Sequence, residues 1–373
     1  MAKLPETARA ALMFEYNEDL RVAEVGVPQP DPGALVVKVD ITSVCGSDVH
    51  TWHGAVKPRV PIKPPLVLGH ETVGTVVAIG VGADTDSTGN PIRIGDRVIW
   101  ENAACRRCEA CTVLHQPTLC FNRQVGMLHD ATVYPYTAGG FAEYSYVWPN
   151  AGRVRVPDKL PSEYAAAGSC ALRTVVNAFE RVGRIDTTSR VVIQGAGPLG
   201  LFATALASRF NPRQLVVVGA PASRLEVAKQ WGATDAISVE DYKSADDRVA
   251  VVEEITGGGA DVLFEMSGAR GAFAEGVRMA GIAGRYMVVG TLGGPAQEVE
   301  AMRVATRQLT IMGTMSAEIG SYQRALEFLA GGMETFDWNA LFSDRRYSLA
   351  EATEALTSLE TMQEIKPLVV PSV

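Results

Sequence analysis

The chain has 373 residues, 47% of them hydrophobic, and a formal net charge of −8. Its length predicts two or three domains, and an acidic chain without an evident basic face is a poor partner for nucleic acid. No apolar run reaches the roughly 18 residues of a membrane span, and the N-terminus lacks the basic end and apolar core of a secretion signal. We therefore expect a cytoplasmic protein with a small-molecule partner and no membrane partner.

About the first 150 residues predict mostly β-structure. Short β-branched runs such as ALVVKVDITSV, VGTVVAIG and DRVIW are separated by Gly, Pro and Asn. These residues break strands and form turns. The N-terminal part is thus expected to be a β-domain.

Side chains of the types that ligate metals occur at predicted element boundaries far apart in the sequence. Cys45 lies in CGSDVH, His70 and Glu71 in LGHETVG, and Cys170 in AGSCALRT. Taken singly, each has an ordinary explanation, such as a buried thiol or a loop histidine. Together they supply the Cys, His and carboxylate ligands of a catalytic zinc site with an open position.

A second cysteine group is compact in sequence. CRRCEACTVLHQPTLC contains Cys105, Cys108, Cys111 and Cys120 within 16 residues. In a reducing compartment such spacing favours metal ligation over disulfides, and four thiolates give a closed, structural zinc site. An iron–sulfur site or free thiols are the alternatives.

From about Pro161 the pattern changes. EYAAAGSCALRTVVNAFERV predicts a helix, and strands then alternate with helices, which predicts a parallel, doubly wound sheet. After about Thr314, two helical stretches and a final apolar strand, IKPLVVP, follow. We expect a catalytic domain that is interrupted by a nucleotide-binding domain.

The turn GAGPLG follows the strand RVVIQ and opens an apolar helix. In this position Gly195, Gly197 and Gly200 permit a tight turn and a close approach of a pyrophosphate to the helix N-terminus. Pro198 and Leu199 complete the turn. The sequence therefore predicts NAD or NADP binding.

The choice between NAD and NADP stays open. An acid that binds the adenosine ribose is expected about 20 residues past the glycines, and Gly219 stands there instead. Arg224 is near enough in sequence to meet a ribose hydroxyl or a 2′-phosphate, or it is a solvated residue at a helix start.

In these motifs and their order the chain resembles the zinc-dependent medium-chain alcohol dehydrogenases, and it is most similar to their bacterial group of sorbitol-type, threonine-type and secondary-alcohol dehydrogenases. CGSDVH, GHE, GDRV, the cysteine lobe, CALRT, GAGPLG and RLEVAKQWGAT carry the resemblance from about residue 33 to the end. It implies an α/β protein with a GroES-like, mostly-β catalytic domain over residues 1–172, including a structural-zinc lobe at about 100–122. An inserted Rossmann domain would cover 173–315, and the chain would return to the catalytic domain over 316–373.

The resemblance also implies roles for individual residues. Cys45, His70 and Cys170 would hold the catalytic zinc, with Glu71 as an alternate ligand. Ser47 would take the alcohol proton and His50 would pass it to solvent. Two further residues have expected roles, Asp48 orienting His70 and Thr174 packing beside the nicotinamide.

One feature departs from the family pattern. The gap before Cys120 has eight residues where seven are usual, so we expect a rearranged lobe loop. The resemblance also implies two zinc ions per subunit and a homodimer or homotetramer.

The implied reaction is reversible hydride transfer between an alcohol and NAD(P), giving a ketone or aldehyde. A secondary or cyclic hydrophobic alcohol is the expected substrate, with a polyol or amino alcohol as the alternative. Trp52, Trp100 and Met127 would line its pocket or simply pack in the core. Two other functions are alternatives: a metal-free quinone or enone reductase, which would lack the Cys45, His70 and Cys170 set, and a non-catalytic zinc and nucleotide-binding protein.

Overall fold

The computed structural model describes residues 4–55, 62–290 and 296–373. The chain forms two compact units: the first comprises Met1–Arg173 and Ala317–Val373, and the second comprises Thr174–Ser316. Over the described ranges, no helix has the length and apolar character needed to cross a membrane.

The described strands, in chain order, are β1 Thr7–Met13, β2 Arg21–Gly26, β3 Leu35–Ser43, β4 Leu66–Val67, β5 Glu71–Ile79, β6 Arg97–Trp100, β7 Tyr144–Val147, β8 Arg153–Arg155, β9 Arg190–Gln194, β10 Gln214–Gly219, β11 Asp235–Ser238, β12 Ala260–Glu265, β13 Ala280–Val288, β14 Thr310–Gly313 and β15 Leu368–Val369. The described helices are α1 Gly46–Trp52, α2 Glu109–Thr112, α3 Ser162–Ala167, α4 Arg173–Val182, α5 Pro198–Ser208, α6 Ala222–Gln230, α7 Ala245–Thr256, α8 Ala272–Met279, α9 Ala301–Thr306, α10 Ile319–Gly332 and α11 Ala352–Glu360.

The first unit is built on antiparallel strands, as the β-branched runs predict. Its main sheet has the order β15-β3-β5-β6-β8, with β7 also paired to β3, and a smaller sheet has the order β2-β1-β4. The sequence of β3, LVVKVDITS, buries its apolar residues and exposes Lys38. At the end of β3, Ser43 pairs with Glu71 of β5 on one side and with Leu368 of β15 on the other. The end of β3 thus lies between β5 and the C-terminal strand β15.

The second unit contains the parallel sheet that strand–helix alternation predicts. Its order is β11-β10-β9-β12-β13-β14, and each neighbouring pair is parallel. The strands β9 and β10 are almost entirely buried, as is usual for strands covered on both faces. Counted within the unit, this is the 3-2-1-4-5-6 order of a Rossmann fold. The predicted α/β class, with GroES-like and Rossmann parts, is confirmed.

The predicted helix around Cys170 is continuous but irregular. Between α3 and α4, residues Gly168–Leu172 form a π-helical turn. A π-turn inserts one extra residue into the helix and is frequent at functional sites. Here it contains Cys170.

Candidate active site

Two groups of metal-type side chains are assembled in the first unit. The donor atoms of Cys45, His70, Glu71 and Cys170 all lie within 4.8 Å of one another. These residues come from the start of α1, the start of β5 and the π-turn, so chain segments far apart in sequence meet at one place.

Asp48 organises two of these residues. It is fully buried, and its Oδ2 accepts a hydrogen bond of 3.0 Å from the backbone N–H of Cys45. Its Oδ1 accepts one from the backbone N–H of Gly69, also 3.0 Å long, and lies 3.1 Å from His70 Nδ1. Because an ionised carboxylate only accepts, Nδ1 carries the proton and Nε2 is left as the ligand atom.

Gly69 is required by this turn. Its φ of +88° lies in the left-handed region, and a Cβ would stand 2.7 Å from the Phe141 ring. The glycine thus lets the chain turn directly before His70 and present a backbone N–H to Asp48.

Glu71 is held on one side and open on the other. Ser43 Oγ and Lys366 Nζ both donate hydrogen bonds to its Oε2, and Lys366 is itself only 2% exposed. Among the described residues, Oε1 has no hydrogen-bond partner although it is buried. Burial raises the pKa of Glu71 to about 7, against the opposing charge of Lys366. A cation beside Oε1 would satisfy this oxygen.

The two thiols differ in acidity. A hydrogen bond from Cys45 lowers the pKa of Cys170, and the same hydrogen bond raises the pKa of Cys45 to about 11, helped by burial. Burial lowers the pKa of His70, but Asp48 and Cys45 outweigh it, so the pKa of His70 is raised in the metal-free chain. A metal ion would therefore displace protons as it binds.

These residues fit a zinc ion. Two sulfurs, an imidazole nitrogen and a carboxylate oxygen are zinc ligands, the imidazole has the carboxylate partner that zinc-bound histidines usually have, and the unpartnered Glu71 Oε1 calls for a cation. This set can bind zinc with Cys45, His70 and Cys170 and leave Glu71 or a substrate oxygen to complete the coordination.

The cysteine lobe forms the second group. The sulfurs of Cys105, Cys108, Cys111 and Cys120 lie within 4.8 Å of one another, and none of these cysteines is in a disulfide. Cys108 Sγ lies 3.5 Å from Cys111 Sγ and 3.7 Å from Cys120 Sγ. The set has the composition of a closed, structural zinc site.

The longer gap before Cys120 does not remove it from the group. A short 3-10 turn, Pro117–Leu119, directly precedes Cys120, and the backbone N–H of Cys105 donates to Cys120 Sγ at 3.4 Å. The structure therefore places Cys120 with the other three cysteines despite the additional residue.

The glycine turn lies between β9 and α5, where Gly195 has a φ of +113°. A Cβ on Gly200 would stand 1.8 Å from the Gly195 carbonyl oxygen, whereas a Cβ on Gly197 would meet nothing within 4 Å. Pro198 and Leu199 begin α5. The open space at Gly197, beside the first N–H groups of α5, fits a dinucleotide pyrophosphate.

Gly219 ends β10, and a Cβ there would stand 2.8 Å from Ala196 Cβ. Arg224 is only 7% exposed, and burial lowers its pKa. It is therefore not the solvated helix-start residue of the alternative interpretation. Thr174, in the first turn of α4, is also buried.

The expected proton-relay residues lie on α1. Ser47 is half-buried and His50, three residues later, is exposed. Of the pocket candidates, Trp52 and Met127 belong to one hydrophobic core of the first unit, and Trp52 Nε1 donates to the Glu18 carbonyl. These two side chains pack in the core.

The sequence analysis did not identify several residues that contact the proposed catalytic zinc ligands. Lys366 and Ser43 bind Glu71, and Arg173 Nη2 donates to Cys170 Sγ at 3.5 Å. The sequence offers two signals for these residues. Lys366 directly precedes the apolar run PLVV, and Arg173 lies among mostly apolar residues in CALRTVVNAF.

Most of the chain is similar to known proteins. Residues 31–158 match the alcohol dehydrogenase GroES-like domain and residues 198–331 match the zinc-binding dehydrogenase family. The chain is 32% identical over 369 residues to 5-exo-hydroxycamphor dehydrogenase of Pseudomonas putida, covering 97% of this chain and 98% of that protein.

Two other similarities span most of the chain. It is 31% identical over 340 residues to D-xylulose reductase A of Aspergillus oryzae, covering 89% of each protein. A crystal structure of an alcohol dehydrogenase from Thermotoga maritima matches with a TM-score of 0.89 at 28% identity, covering 98% of this chain and 99% of that one.

Proposed function

The chain belongs to the zinc-dependent medium-chain alcohol dehydrogenases, and on that premise we propose that it oxidises a secondary or cyclic hydrophobic alcohol to a ketone, reversibly, with NAD or NADP as hydride acceptor. The observation that carries the proposal is the group of Cys45, His70, Glu71 and Cys170, whose donor atoms lie within 4.8 Å of one another.

The ligand residues have distinct tasks in this proposal. Cys45, His70 and Cys170 hold the zinc, which when bound supplies a Lewis acid that favours proton loss from the substrate hydroxyl. Asp48 fixes the tautomer and direction of His70. Glu71 stands ready as an alternate ligand through Oε1, while Lys366 and Ser43 hold its Oε2.

The proton leaves along α1. Ser47 accepts the proton of the substrate hydroxyl and gives up its own proton, which His50 transfers to solvent. Residues three apart lie on the same side of a helix, and His50 is exposed. The intact pair favours a working enzyme over a non-catalytic zinc and nucleotide-binding protein.

The dinucleotide is held by the second unit. Gly195, Gly197, Pro198, Leu199 and Gly200 receive the pyrophosphate, and the nicotinamide accepts the hydride. Thr174 packs beside the nicotinamide. Gly219 offers no carboxylate for the ribose diol, and Arg224 is the nearest cation in sequence, so both NAD and NADP must be tested as acceptors.

The substrate class rests on the relatives. The Pseudomonas putida relative, which aligns with nearly the whole chain, has a name that describes a hydroxyl group on the camphor ring system. This favours a cyclic, hydrophobic secondary alcohol. The Aspergillus oryzae relative is named for a sugar ketone, which makes a polyol the second candidate.

A substrate panel tests this proposal. The purified, zinc-loaded protein would be assayed with NAD and with NADP against borneol, cyclohexanol, 2-propanol, ethanol, xylitol and sorbitol. We expect the highest kcat/KM for a cyclic alcohol. Higher kcat/KM for xylitol or sorbitol would favour the polyol function, and turnover with none of the alcohols would contradict the proposed activity.

We also propose that the protein acts in the cytoplasm as a homodimer or homotetramer, on the basis of the family. Sedimentation equilibrium of the zinc-loaded protein would distinguish these assemblies from a monomer, whose mass is 39.8 kDa.

A further inference from the structure

Arg173 is a buried cation beside the group of Cys45, His70, Glu71 and Cys170. It is 5% exposed and follows Cys170 by three residues, at the end of the π-turn. Its Nη2 donates to Cys170 Sγ at 3.5 Å, and its Nε donates to the Ser169 carbonyl at 3.1 Å. One guanidinium therefore contacts both the Cys170 sulfur, a proposed zinc ligand, and the backbone carbonyl of the preceding residue.

The guanidinium is held from another element. Tyr322 on α10 is 3% exposed, and its ring centroid lies 5.1 Å from Arg173 Cζ. A cation over an aromatic face is attracted by the ring, more strongly when both are desolvated. Tyr322 thus fixes the position of Arg173 relative to Cys170.

The contact between Arg173 and Cys170 affects the net charge of the site. Cys45, Cys170, Glu71 and Asp48 place four acidic groups in or against one partly buried site. Two buried cations contact these groups: Lys366 donates to Glu71, and Arg173 donates to Cys170. With a divalent zinc ion bound, these two cations and the metal match the charge of four ionised acidic groups. Loss of Arg173 would leave the site with an excess negative charge, which is costly where solvent is excluded.

We propose that Arg173 is a positioning residue that withdraws charge from the Cys170 thiolate and so sets the Lewis acidity and affinity of the metal bound there. The proposal rests on the proposed function. A thiolate that accepts a charge-assisted hydrogen bond donates less electron density to its metal. With zinc bound, its Lewis acidity would be higher, so Ser47 would receive the substrate proton at lower pH.

Cobalt substitution tests the proposal directly, because sulfur-to-cobalt charge-transfer bands report the electron density on the thiolate ligands. We expect Arg173→Gln to shift this band to longer wavelength and to weaken metal affinity about 10- to 100-fold. The midpoint of the kcat–pH profile should move to higher pH. Arg181→Gln, at an exposed arginine of the same helix, is the matched control.

A second pair of variants separates electronic tuning from a purely structural role. Tyr322→Phe keeps the ring and should leave the band unchanged, whereas Tyr322→Leu should shift it in the same direction as Arg173→Gln, but less. Arg173→Lys keeps the charge, so its kcat–pH midpoint should lie between those of wild type and Arg173→Gln. If Arg173→Gln does not fold, the Tyr322→Leu spectrum decides.

The outcomes are distinguishable. An Arg173→Gln protein, or failing that a Tyr322→Leu protein, whose band, metal affinity and pH midpoint equal those of Arg181→Gln would overturn this inference while the dehydrogenase function stood. A wild-type protein that binds metal at the lobe alone and oxidises no alcohol would instead refute the proposed function.

Discussion

Asp48 and His70, 22 residues apart in the sequence, are joined by a contact of 3.1 Å between Oδ1 and Nδ1. The same carboxylate accepts the backbone N–H groups of Cys45 and Gly69. A single buried acid therefore fixes the tautomer of one proposed zinc ligand and the backbone position of another. Loss of Asp48 should therefore lower the zinc affinity by more than the loss of one ordinary hydrogen bond would.

Replacing Asp48 by Asn should weaken zinc binding about 10- to 100-fold, because partners of this kind typically contribute that much to metal affinity. Competition with a chromophoric chelator measures the change. Asp19→Asn, at an exposed position, serves as the control. Equal zinc affinity in Asp48→Asn and wild type would show that Asp48 does not support the site.

Lys366 should stabilise the folded chain through Glu71. Removing one partner of a buried ion pair leaves an uncompensated charge, which costs about 3–5 kcal/mol of unfolding free energy. We expect this loss for Lys366→Met in urea unfolding of the metal-free protein at a pH well above 7, because Glu71, whose pKa is about 7, would take up a proton at lower pH. The Lys366→Met, Glu71→Gln double variant should recover the stability.

The matched control is Lys63→Met. Its amine lies 3.7 Å from Asp130 but its side chain is 81% exposed, and such surface pairs contribute less than about 1 kcal/mol. A loss of the same size in both variants would mean that the Lys366 pair has no special role.

Thiol labelling of the metal-free protein should follow the pKa differences. The pKa of Cys170 is lowered and that of Cys45 is raised to about 11, both through their shared hydrogen bond. In the lobe, a backbone hydrogen bond from Arg107 lowers the pKa of Cys105 to about 6, and burial raises that of Cys111 to about 11. Since the thiolate is the reactive form, Cys170 should react before Cys45 and Cys105 before Cys111.

The pH dependence of labelling has a definite sign. Between pH 7 and pH 9 the rate at Cys45 and Cys111 should rise about tenfold per pH unit, because both groups are mostly protonated below their pKa. The rate at Cys105 should be nearly constant, because it is already ionised. Iodoacetamide labelling with peptide mass spectrometry measures all four rates. Faster reaction at Cys45 than at Cys170 would contradict the lower pKa of Cys170.

His50 should act as the exit for the proton. Its replacement by Ala should slow turnover where proton release limits the rate, and imidazole in the buffer should restore part of the rate by acting as a substitute base. His115→Ala, at another exposed histidine, should show neither effect. Full activity in His50→Ala would exclude His50 from the proton path.

The sequence was informative where local spacing determines the outcome. Four cysteines within 16 residues predict a metal lobe, and a glycine turn between a strand and a helix predicts a dinucleotide site. Cys45, His70 and Cys170 are spread over the chain, yet the family resemblance identified them as one set. The alternation of strands and helices likewise predicted the parallel sheet.

Other features depend on contacts that spacing does not encode. Lys366 contacts Glu71 across 295 residues, because the strand after it pairs with the end of β3. The π-turn at Cys170 occurs in a stretch whose composition predicts an ordinary helix. Arg173 is close to Cys170 in sequence, but only this turn and the Tyr322 ring on α10 place its guanidinium against the sulfur.

The central claim is that Cys45 belongs to a catalytic zinc site that is separate from the cysteine lobe. The most direct test is zinc content per chain together with alcohol-dependent NAD(P) reduction, compared between wild type and Cys45→Ala. We predict about two zinc ions per wild-type chain and one in the variant, with unchanged folding and a loss of kcat of at least about 10³-fold. Wild-type kcat in Cys45→Ala, or a single zinc ion and no turnover in wild type, would contradict the account.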